Sequence, residues 1–66
     1  MTFDYIVVSG AETGRTINVR KEMIYLVSAV MNGSIKNMPL AHAEIKLLNG
    51  ETLYVLDSEQ DIMAKF

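Results

Sequence analysis

The chain has 66 residues, no Cys, one His, six basic and eight acidic side chains, and half of its residues are hydrophobic. Such a chain makes a single domain, 1–66, without disulfides and with almost nothing to hold a structural metal; its formal charge of −2 and lack of a Lys/Arg cluster argue against nucleic acid as a partner. A domain this small buries only about 60% of the surface its unfolded chain exposes. Self-association is the supplement that remains.

From the amino end, Phe3 to Val8 reads as a strand, with Phe3, Tyr5 and Val7 on one face and Ile6 and Val8 on the other. Apolar residues on both faces predict a strand that is central or covered by an interface. Ser9 to Gly14, with two glycines and small polar residues, predicts the loop of a hairpin, and Thr16 to Arg20 alternates so that Ile17 and Val19 face inward. Lys21 to Met31 fits two patterns. A helical stripe would gather Met23, Ile24, Val27, Val30 and Met31, but enrichment in β-branched and aromatic residues favours a short helical turn at Arg20 to Met23 and then a strand to about Met31.

Asn32 to Leu40 contains Gly, Asn and the one Pro and reads as a long loop. Ala41 to Leu48 alternates again, with Ala41, Ala43, Ile45 and Leu47 on one face. Asn49-Gly50 predicts a hairpin through a type I′ turn, returning along Thr52 to Leu56. Ser58 is a good N-cap, Glu59 and Asp61 suit the positive end of a helix dipole, and Ile62, Met63 and Phe66 form an apolar side. A repeat runs through this order. Gly14-Arg15-Thr16-Ile17-Asn18-Val19 and Gly50-Glu51-Thr52-Leu53-Tyr54-Val55 each set a Gly turn before a β-rich run, which a polar, helix-starting stretch follows.

The chemistry-bearing residues are sparse. Gly10 to Thr16 has the outline of a phosphate loop, but it is one residue short, puts Arg where Lys is needed and leads into a strand, so a hairpin explains it better. His42 has no predicted nucleophile or orienting group beside it and reads as a surface residue. Asp57, Glu59 and Asp61 lack the length and glycine turn of a calcium loop and read as helix-start carboxylates; Met23 and Met63 read as core. No cofactor is expected, and enzyme activity is not. The start of the chain lacks the features of a secretory signal, and Met23 to Val27 is too short to span a bilayer, so a cytoplasmic location without membrane association is expected.

From Ile17 to Phe66 the rhythm, carried by Asn49-Gly50 and by Asp57-Ser58 to Ile62, resembles that of small flagellar FlbD/SwrD-type proteins and of many small phage and bacterial proteins. The resemblance implies a strand–turn–strand hairpin and a terminal helix; no function is carried over from it.

The expected fold is α+β, mostly β: a small bent antiparallel sheet or open barrel of four or five strands with a carboxy-terminal helix. The expected role is a small non-catalytic interaction, regulatory or inhibitor module that forms a homo-oligomer and binds a larger protein partner. Tyr5, Tyr25, Met31, Met38, Leu40 and Tyr54 are the candidate anchors, because aromatic and Met side chains dominate such surfaces. The alternative is an oligomer that binds a small anion or nucleotide between subunits through Arg15, Arg20 and Lys21.

Overall fold

The computed structural model describes residues 4–31 and 33–66, so Phe3 lies outside the described residues. Along the chain come β1 (Tyr5–Ser9), β2 (Thr16–Arg20), a 3-10 turn (Lys21–Met23), β3 (Ile24–Ala29), β4 (Ala43–Leu47), β5 (Thr52–Val55) and α1 (Glu59–Met63). β1 and β2 form one antiparallel sheet, and β3, β4 and β5 form another in that order. The fold is therefore α+β and mostly β, as expected. It is not a closed barrel.

The two sheets meet at one corner. A bridge joins Gly10 to Val55, the Ala11 N–H donates to the Tyr54 carbonyl (2.9 Å), and the Leu56 N–H donates to the Ser9 carbonyl (2.7 Å). The Ser9 N–H donates to Asp57 Oδ1 at 2.7 Å, which ties the end of β1 to the residue that leads into α1. Asp57 thus serves as a long-range tie as well as lying near a helix start. β1 has β2 along its length on one side and β5 at its end on the other, which leaves β2 and β3 as the outermost strands.

The Gly repeat has a structural counterpart. Gly14 and Gly50 both adopt positive φ, 74° and 93°, and each stands two residues before its strand begins. In the first loop the Gly14 N–H donates to the Gly10 carbonyl and the Gly10 N–H to the Arg15 carbonyl; in the second, the Gly50 N–H donates to the Leu47 carbonyl and the Leu47 N–H to the Glu51 carbonyl. The second turn differs from expectation. A type I′ turn needs positive φ at both central residues, yet among the described residues none other than Gly has it, so the loop takes the three-residue form in which only its last residue is left-handed. Asn49 instead accepts the Glu51 N–H on its side-chain oxygen (2.9 Å).

Alternation delivers the core. Ile6 and Val8 from β1, Val19 from β2, Ala43 and Ile45 from β4, Val55 from β5 and Ile62 from α1 are buried together, with Ile17, Ile24, Val27, Leu47 and Leu53 packed against them. Both sheets and the helix thus turn one face to the same interior. A five-residue helix is unstable by itself. Ser58 starts it, its hydroxyl accepting the Asp61 N–H (3.1 Å), and the fully buried Ile62 anchors it. Met63, expected in the core, is 53% exposed, because a helix with a single turn against the sheet can bury little more than one side chain.

Candidate functional site

The surface around β3 departs furthest from a simple strand. Ile24 pairs with Leu47 and Leu26 with Lys46, so Tyr25 is an extra residue, a β-bulge, on the β3 side of the ladder. A bulge breaks the two-residue period. Tyr25, 70% exposed, and Leu26 therefore both face solvent, while Ile24 and Val27 turn toward the core. Beyond the bulge the ladder resumes, with Val27 opposite Ile45, Ser28 opposite Glu44 and Ala29 opposite Ala43.

Two shallow grooves flank Tyr25. One is lined by Tyr25, Leu47, Leu48 and Thr52 at the β4–β5 hairpin; the other runs between Ile24–Val27 on β3 and Met63 and Phe66 at the end of the chain. Met63 and Phe66 are each 53% exposed beside it, and the Lys21 ammonium lies 5.7 Å from the centre of the Phe66 ring. The patch is mostly apolar, with Lys21 over Phe66 at one end and Lys46 and Glu51 lining the groove at the other. The exposure of Leu26, Met63 and Phe66 departs from the sequence reading: in an alternating strand Leu26 would not share exposure with Tyr25, and Met63 and Phe66 read as the apolar side of a helix.

The other predicted anchors are dispersed. Tyr5 is exposed at the β1–β2 edge opposite Arg20 and lines a groove with Ile17, Met23, Leu47 and Leu53. Met38 and Tyr54 come together, both half-buried, in a recess with Gly10, Ile17 and Leu53, where the loop after β3 folds back on the corner between the sheets. Met31 and Leu40, 81% and 63% exposed, stand on that same loop.

The three basic residues do not converge. Arg15 and Arg20 bracket β2, roughly 17 Å apart along an extended strand. Arg20 pairs with Glu22, and Lys21 lies over Phe66. His42 is exposed, and among the described residues no three His, Asp or Glu side chains gather to hold a metal ion. Among those residues, no helix is long and apolar enough to cross a membrane.

No family model, no curated protein and no solved structure matches the chain.

Proposed function

We propose that this chain is a small non-catalytic protein-interaction module, of the inhibitor or regulator kind, that self-associates and binds a larger protein. The observation that carries the reading is the exposure of large apolar side chains in two regions, the Tyr25 patch and the loop bearing Met31 and Leu40. Side chains of this kind gain free energy when covered, at about 25 cal/mol per Å² removed from water. Apolar contact is what these surfaces can do.

Leu40 provides the test for the larger partner. Leu40→Asp should abolish capture of the partner from the native host while leaving the melting temperature within about 4 °C, because surface substitutions rarely shift stability by more than about 0.5 kcal/mol. Capture unchanged by Leu40→Asp and by Met31→Asp would remove the loop as the contact surface. Met38→Asp serves as a contrast: Met38 is half-buried in a recess that Ile17 and Tyr54 also line, so that variant should lose stability. The anion or nucleotide alternative gains no support from the separate positions of Arg15, Arg20 and Lys21.

A further inference from the structure

The two outermost strands are not alike. β2 carries exposed Thr16 and Asn18 and ends at Arg20, which pairs with Glu22 in the following turn. β3, Ile24-Tyr25-Leu26-Val27-Ser28-Ala29, has no charge and no Pro along its length. Charges and Pro are the usual guards against strand pairing at a sheet edge. β3 has its bulge, which sits at the amino end and leaves Leu26 to Ala29 regular, and the short helix α1 packs against it.

The hydrogen-bond alternation shows what that edge presents. The Val30 N–H donates to the His42 carbonyl, so the groups of Ser28 and Leu26 also point to β4, and those of Val27 and Ala29 point away. No strand pairs with that side among the described residues. An antiparallel strand would satisfy both residues.

We propose that β3 pairs antiparallel with β3 of a second copy about a two-fold axis, joining two three-stranded sheets into one of six strands. Tyr25, Leu26, Met63 and Phe66 of each copy close over the join. The occupant is a second copy for two reasons. An uncharged, antiparallel edge is complementary to itself, since a two-fold axis brings the same groups together in opposite direction. The area is also of the right order. Tyr25 and Phe66, at their exposures, offer on the order of 100–150 Å² each. Leu26 and Met63 bring the apolar part to roughly 400 Å², about half of the 800 Å² or so per partner in a standard interface; the strand edge and its flanks supply backbone contact in addition. The inference rests on the self-association part of the proposed function and assigns it a surface.

Analytical ultracentrifugation of the full chain, with hydrogen exchange read at single amides, tests it. The wild type should sediment at twice the 7.4 kDa chain mass, and the Val27 and Ala29 amides should exchange slowly in the dimer and rapidly on dilution to monomer. Leu26→Lys places a charge at the join, and Ala29→Pro removes an outward N–H without removing a bond to β4. Each should give a monomer with an unchanged circular dichroism spectrum. Should Ala29→Pro fail to fold, Leu26→Lys decides alone. A dimer untouched by the folded variants would overturn the β3 assignment while leaving self-association standing. A wild type that stays monomeric at millimolar concentration would overturn both. Val27 and Ala29 amides protected only on adding a host protein would give the edge to a heterologous partner and overturn self-pairing.

Discussion

Asp57 holds more of this molecule together than its place before a helix implies. Its carboxylate accepts the Ser9 N–H, 48 residues away in sequence, at the corner where the two sheets meet. Hydrogen bonds to charged groups contribute about 1.5–3 kcal/mol when partly shielded, so Asp57→Ala should lower unfolding free energy by about 1–2 kcal/mol in urea titrations. Asp57→Asn keeps an acceptor oxygen and should cost clearly less; equal losses would mean that charge near the helix start, not the tie to Ser9, is what matters. Gly50 is the second residue with a definite job. Its φ of 93° lies where a Cβ is strained although no atom lies within 4 Å of one, so Gly50→Ala should destabilise by about 1 kcal/mol through backbone strain alone. A Gly50→Ala protein as stable as wild type would show that the loop can take up another turn.

At the scale of elements, the decisive feature is the bulge in β3. Lys21 to Met31 fits both a helix and a strand because Ile24 and Val27 are inward and three apart, with two exposed residues between them, a spacing that helices produce by pitch and that this strand produces by inserting Tyr25. The 3-10 turn and the strand that follows match the favoured reading, although β3 ends at Ala29 rather than near Met31. The hairpins were legible because each carries Gly where the chain reverses. The turn type at Asn49-Gly50 was not, since Asn tolerates positive φ but is equally able to accept a backbone N–H, and the register of β4 on β5 selects the latter. α1 depends on one contact. Ile62→Ala should cost about 2–5 kcal/mol. A single core in so small a domain rarely supplies more than about 3–5 kcal/mol, so this variant should be largely unfolded at 37 °C by circular dichroism. A cooperative transition near the wild-type temperature would show that α1 is dispensable.

At the scale of the whole molecule, two small sheets joined at a corner share one core, and their outer strands carry unequal guards against pairing. The exposed apolar patch beside uncharged β3 connects the fold to the proposed role. Composition and periodicity alone point to an α+β fold, the inward pair Ile17/Val19, the shared faces Ala43/Ile45 and Leu53/Val55, and the cap at Ser58, because each follows from side-chain spacing or local hydrogen bonding within a few residues, whereas apolar residues on both faces of β1 leave its buried side open. The split into two sheets, the tie from Asp57 to Ser9, the gathering of Met38 with Tyr54, and the exposure of Tyr25 beside Met63 and Phe66 depend on contacts between distant segments. Periodicity reports which way a side chain faces along its own strand, whereas the neighbour it meets, or lacks, is set by how strands pair and where one of them bulges.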